Sequence, residues 1–152
     1  MQPRLTMSEQ APRSYAAMGS LEGEVRRSVD PVLHELIKIR ASQLNGCAFC
    51  LDMHTKDARE AGESEQRLYA LSAWWEAPFF DERERAALEL TEAVTNVQDG
   101  HVPDAVYDRA AAQFEDAELA ALIWAIGSIN VWNRVAIASR AVPGSYRPEL
   151  AR

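Results

Sequence analysis

Cysteine is nearly absent from this sequence, with two in 152 residues. That excludes the disulfide framework that staples small secreted domains, and leaves redox or metal chemistry as the first reading of the pair. Positive charge is also short. Sixteen Lys and Arg stand against 23 Asp and Glu, for a net charge of −7. No basic run offers the phosphate contacts that a nucleic acid or an anionic membrane requires, so neither is an expected partner. No apolar stretch reaches the ~20 residues needed to span a bilayer. The polar, proline-bearing start from Met1 to Arg13 has no apolar signal-peptide core, and the cytoplasm is the expected address. No segment alternates apolar and polar residues at period two, so strands are not expected.

What is present is helical. The chain has an ordinary balance of 47% apolar and 26% charged residues and a length that suits one domain with a substantial core. The expected class is all-α, a single-domain bundle of about six to seven helices. Residues 1–13 read as a flexible N-terminus, 14–142 as the domain and 143–152 as an irregular tail. Tyr15, Met18, Leu21, Glu22 and Val25 give a first helical period. Asp30-Pro31 starts the next helix, with Asp as N-cap and Pro at the first helical position. Asp81-x-x-Glu84 has the spacing of a capping box. The last long helix, from Asp116 to about Arg140, is apolar nearly all round and should be central or packed into an oligomer. The aromatic connector Trp74 to Phe80 reads as core or subunit contact. Together these two features predict a homo-oligomer.

Both cysteines fall in Asn45-Gly46-Cys47-Ala48-Phe49-Cys50-Leu51-Asp52-Met53-His54. Asn45-Gly46 is a turn signal, and Gly46 can end one helix in a left-handed conformation so that the cysteines open the next. Amides at a helix start favour thiolate over thiol. Cys47 and Cys50 share a helix face at i, i+3, as do Cys50 and His54 at i, i+4. Cβ atoms three apart in a regular helix lie ~5–6 Å apart, while a disulfide wants ~3.5–4.5 Å. Oxidation is therefore expected to distort the first turn. Glu35 lies about ten residues before the bend and His54 about nine after it. At ~1.5 Å per residue an antiparallel pair sets them nearly level, and Glu35, His54 and Cys50 could form a proton relay.

The pattern of Glu35, eleven residues, Cys47-x-x-Cys50, three residues and His54 resembles the alkyl hydroperoxidase D-like branch of the carboxymuconolactone decarboxylase superfamily. The resemblance covers roughly residues 15–142, and Asn130-Val131-Trp132-Asn133-Arg134 is similar to the branch's late-helix motif. It implies a thiol-dependent peroxidase or disulfide reductase. Cys50 would be the peroxide-attacking thiol, Cys47 the resolving thiol, and His54 with Glu35 the proton relay. The substrate would be an alkyl hydroperoxide, the electron donor an external dithiol or reductase protein, and no organic cofactor or metal would be required. The family's trimers and hexamers favour three-fold symmetry for the oligomer. One departure is Phe49, where the well-studied hydroperoxidase has a second histidine.

Other readings of the same residues stand beside this one. Two cysteines at i, i+3 could be small buried apolar residues. Cys47, Cys50 and His54 could hold zinc, but a fourth ligand is lacking: His34 is expected on a different face from Glu35, and His101 in a remote loop. Glu35 could be a solvated residue paired with Lys38 or Arg40. Trp124 and Trp132 read first as packing. A redox-responsive assembly with little turnover is the alternative function. Lactone decarboxylation is a weaker one, because that branch does not use the cysteine pair.

Overall fold

A computed structural model of the chain describes residues 2–148. Among them are eight α-helices and no strand: α1 Met7–Gln10, α2 Pro12–Ser28, α3 Pro31–Asn45, α4 Ala48–Glu60, α5 Glu65–Ala70, α6 Glu82–Thr95, α7 Asp104–Ala111 and α8 Asp116–Ser139. A 3₁₀ turn at Leu71–Ala73 extends α5. The all-α expectation therefore holds. The extra helix comes from α1, a single turn inside the stretch that read as flexible. Arg4 ties that stretch to the far end of α8, its N–H donating to the Ser139 carbonyl at 2.8 Å. Residues 149–152 of the expected tail lie outside the described residues.

The bundle is organised around α3, which packs against α4, α6 and α8. Its start is written locally. The Asp30 carboxylate accepts from the amides of Val32 at 2.9 Å and Leu33 at 3.1 Å, with Pro31 next in line. Its end is written at Gly46, whose φ of 68° lies where a side chain would be strained. Between these caps ten consecutive residues, Leu33 to Ser42, are buried. Leu33 and Ile37 face one core with α2, α6, α7 and α8, while Leu36 and Ile39 face a second with α4, α5 and the aromatic connector. Helix α3 is thus covered on nearly all sides, charged residues included.

The connector behaves as core more than as contact surface. Trp74 and Phe80 are buried, Phe79 is half-buried, and of the four aromatics only Trp75 is exposed. The Trp74 indole donates to Glu92 at 2.7 Å, which satisfies its one polar group. The capping box at Asp81 and Glu84 is formed as expected. Helix α8 corrects one expectation, being long and apolar enough by length and composition to cross a bilayer. It serves instead as a core helix, burying Leu119, Leu122, Ala125, Ile126 and Ile129 against the rest of the bundle. Its other side leaves Ile123, Trp124, Val131 and Ile137 exposed, so the packing reading of Trp124 is not met within one chain.

Candidate active site

The α3–α4 bend is held by side-chain amides from α8. Asn45 Nδ2 donates to the side-chain oxygens of Asn130 at 2.9 Å and Asn133 at 2.8 Å. Asn133, fully buried, donates in turn to Ser42 Oγ at 3.0 Å. The late-helix motif is therefore a clamp on the bend that presents the cysteines.

Cys47 and Cys50 form a disulfide with Cα atoms 5.4 Å apart. Cys47 is the N-cap of α4 in an extended conformation (φ −86°, ψ 94°), and its Sγ accepts from the Cys50 amide. Cys47 thus sits just outside the helix, and its carbonyl accepts from the Leu51 amide at 3.0 Å, so the first turn of α4 is formed with the disulfide in place. The two sulfurs are not equivalent. Both are buried, but Cys50 lines a cavity of about 550 Å³ and Cys47 does not.

That cavity joins the expected site residues. Cys50, His54 and Glu35 line it together, with walls of Tyr15, Phe49, Met53 and Trp132. Tyr15 and Trp132 meet edge to face, with centroids 5.1 Å apart. The roof comes from the two ends of the chain, Pro3 to Ser8 and Ala141 with Tyr146. The tail segment is anchored on α4: the Gly144 amide donates to Asp52 at 2.9 Å and the Tyr146 hydroxyl to Asp57 at 2.7 Å.

Glu35 is buried and takes a histidine on each oxygen, Oε2 at 3.0 Å from His54 Nδ1 and Oε1 at 3.0 Å from His34 Nδ1. The expected Glu35–His54 pairing across the hairpin is present. The solvated alternative is not, since Lys38 and Arg40 pair with Glu22 and Glu92 instead. Burial pushes the Glu35 carboxyl up, but hydrogen bonds from His34 and His54 outweigh it and hold the group at about 2. Against an ionised carboxylate the near nitrogen of His54 must carry the proton. A neutral His54 then has its lone pair on Nε2, free to accept a proton.

Three residues of this network were not legible as a group. His34 was expected on a different face from Glu35, yet its ring turns back onto it and also reaches Glu22 at 3.0 Å through Nε2. Lys38, with no exposed surface, places its ammonium 2.6 and 2.5 Å from the Glu22 oxygens and 3.0 Å from Ser128 Oγ. Burial raises Glu22, but His34 and Lys38 lower it further, to about 2. The one available signal was four ionisable residues, His34, Glu35, Lys38 and Arg40, on a helix otherwise apolar enough to be central.

These shifts give stability a predictable pH dependence. Both glutamates lie below their ordinary 4.5, so their contribution is complete above ~pH 5 and lost as pH falls through about 2. One such carboxylate is worth at most about 3 kcal/mol, and the two share His34 and so do not add fully. His34 runs the other way: burial lowers it, but Glu22 and Glu35 raise it above 6.5. Its contribution is present below 6.5 and lost as pH rises through its folded value. Urea midpoints measured against pH should fall on both sides of a maximum near pH 5–6. A flat profile from pH 5 to 2 would contradict the ion-pair assignment.

A metal is the other use such donors could serve. Glu35, His54 and Asp57 each bring one donor atom within 4.8 Å of the others. All three are already engaged, Glu35 with His54 and Asp57 with Tyr146, and neither cysteine belongs to the cluster. His101 stands in the exposed loop between α6 and α7.

Comparison with known proteins identifies the family and the fold. The carboxymuconolactone decarboxylase family model matches residues 10–93. An uncharacterized protein of Bacillus subtilis (strain 168), YdfG, is 45% identical over 139 residues, 91% of this chain and 95% of that one. A solved structure from Agrobacterium tumefaciens is described as a protein of unknown function and a candidate antioxidant defence protein, AhpD. It matches with a TM-score of 0.92 and 38% identity over 95% of this chain and 100% of the other. An uncharacterized peroxidase-related protein from Ralstonia eutropha JMP134, described as an alkylhydroperoxidase AhpD core, shares the fold at 18% identity. Its TM-score is 0.80, over 94% of this chain and 77% of that one. The chain belongs to the carboxymuconolactone decarboxylase family, in its alkyl hydroperoxidase D-like branch.

Proposed function

We propose that the protein is a thiol-dependent peroxidase that reduces organic hydroperoxides through the Cys47–Cys50 dithiol. The observation that carries this reading is the asymmetry of the pair: Cys50 opens onto an apolar cavity beside His54 and Glu35, and Cys47 lies behind it. In the reduced protein His54 Nε2 takes the Cys50 thiol proton, and Glu35 holds the imidazole in the tautomer that can do so. The thiolate attacks the distal peroxide oxygen. The O–O bond breaks, Cys50 becomes a sulfenic acid, and the departing alkoxide recovers the proton from His54 as an alcohol. Cys47 then displaces water from the sulfenic acid to give the disulfide, and an external dithiol or reductase protein returns two electrons and two protons. The same dithiol would reduce a disulfide substrate by exchange. The apolar walls suit an alkyl or aryl peroxide better than hydrogen peroxide.

The test is turnover. Purified protein with excess dithiol and cumene hydroperoxide should consume many equivalents of peroxide. Consumption that stops at one equivalent per chain would replace the enzyme with the redox-responsive reading.

We infer also that the working unit is a homo-oligomer of three-fold symmetry. Trp124, Val131, Ile123 and Ile137 stand exposed along α8, with Ala120, Gly127 and Ala138 among them, and a stripe of this length is unusual on a monomer. Light scattering should give a trimer or hexamer. A mass near 16.9 kDa would refute the oligomer, and twice that would refute the three-fold part.

A further inference from the structure

His34 has no place in the relay just described, yet its surroundings are the most demanding in the protein. It is buried, and each of its ring nitrogens faces a carboxylate oxygen at 3.0 Å, Nδ1 toward Glu35 and Nε2 toward Glu22. A neutral imidazole has one N–H, and so can satisfy only one of the two. The other contact would set a lone pair against a buried carboxylate. The arrangement closes only if both nitrogens are protonated.

We propose that His34 is a positioning residue, a standing imidazolium clamped between Glu22 and Glu35 that turns the Glu35 carboxylate toward His54. The inference rests on the relay reading of Glu35 and His54 and extends it by one layer. Charge balance supports it. Glu22 and Glu35 carry two negative charges, and Lys38 and His34 carry two positive ones inside the same enclosure. From α2, Arg26 also approaches, its Nη2 3.8 Å from Glu35 Oε1, but its side chain is 67% exposed. From α4 come His54, through Glu35, and the Asp57 carboxylate, which lies within 4.8 Å of Glu35 and accepts from the Tyr146 hydroxyl, and from α8 the neutral Ser128.

Lys38 explains why the clamp is rigid. Its ammonium holds both oxygens of Glu22 and is itself fixed by Ser128, so Glu22 cannot swing away from His34. Anchored at one end, His34 presents Nδ1 to Glu35 in a single orientation. Without His34, the cation that pairs with Oε1 of Glu35 among the described residues is Arg26, 3.8 Å away on a largely exposed side chain, since Lys38 is held by Glu22. Rotation toward Arg26 would release His54 and let its ring populate both tautomers, only one of which has Nε2 free for Cys50.

Histidine-selective ¹⁵N labelling tests this with few signals, since the chain has three histidines. In the reduced wild type at pH 7, one histidine should show two protonated ring nitrogens and vanish in His34→Asn. Another, assigned by His54→Asn, should show a single tautomer with the proton on Nδ1. In His34→Asn the His54 signals should move to a mixture of tautomers, and the peroxide rate should fall about tenfold, less than the ~10²–10⁴ that a group transferring the proton itself contributes. A singly protonated His34 in the wild type would overturn the proposal without recourse to any variant. So would a His54 spectrum unchanged in a folded His34→Asn protein. If the wild type turns over no peroxide, the peroxidase reading fails, and the spectra still decide the role of His34.

Discussion

Cys50→Ser is expected to abolish peroxide turnover, and Cys47→Ser to preserve one oxidation per chain. The first removes the thiol of the cysteine that lines the cavity, and serine's hydroxyl, with a far higher pKa, cannot replace a thiolate as nucleophile. The second leaves that sulfur in place but removes the partner that resolves its sulfenic acid. A sulfenic-acid trap added after cumene hydroperoxide should therefore label Cys50 in Cys47→Ser and leave Cys47 nearly unlabelled in Cys50→Ser. The reduced Cys50 should also titrate below the free value of ~8.5, as cysteines at helix N-termini do, since it lies in the first turn of α4. Equal labelling of the two variants would undo the division of roles. The cavity would then not be the route by which peroxide arrives.

Glu35→Gln is expected to slow peroxide reduction by an order of magnitude or more, within the ~10²–10⁴ attributed to positioned proton-transfer groups. Glutamine keeps the size of the side chain, but not the charge that both histidines address. Its amide presents one acceptor and one donor, so it can serve His34 or His54 but cannot accept from both. It also leaves the His34 imidazolium with Glu22 alone, in a buried site where removing one partner of a pair is costly, ~3–5 kcal/mol at the upper end. Some loss of stability should accompany the loss of rate. The two separate by comparison with Glu92→Gln, which breaks the Arg40 and Trp74 contacts away from the cavity. That variant should lose stability and keep its rate. An unchanged rate in folded Glu35→Gln would return Glu35 to a structural role.

Much of the site was open to reading in one dimension because its parts are helical and helices have a fixed rise. The Asp30-Pro31 start, the Gly46 stop and the spacing of Cys50 and His54 depend on residues at most four apart, and local geometry determines them. Counting from the bend placed Glu35 level with His54, and the two do meet at 3.0 Å. The limit of that counting shows at Cys47. The expectation ran a helix through both cysteines from about Cys47. Yet Cys47 caps the helix from an extended conformation, a difference of one residue in where the helix begins.

What the sequence could not specify is which charges meet inside. Glu35 has Lys38 and Arg40 as near neighbours in the chain and bonds to neither. Lys38 is drawn to Glu22, sixteen residues earlier on α2, and Arg40 to Glu92 on α6. A buried charge must find a partner wherever the packing brings one, and that is decided by how α2, α6 and α8 lie on α3. The α8 stripe is the converse case. Its composition alone made it look fully buried, and only the tertiary packing showed which side the chain covers and which it leaves open. The helices, their ends and the Cys-x-x-Cys pair were thus determined by the sequence itself, through interactions a few residues in reach. The His34 clamp, the inequality of the two sulfurs and the open side of α8 were decided by tertiary structure, because burial and long-range charge pairing exist only once the helices are assembled.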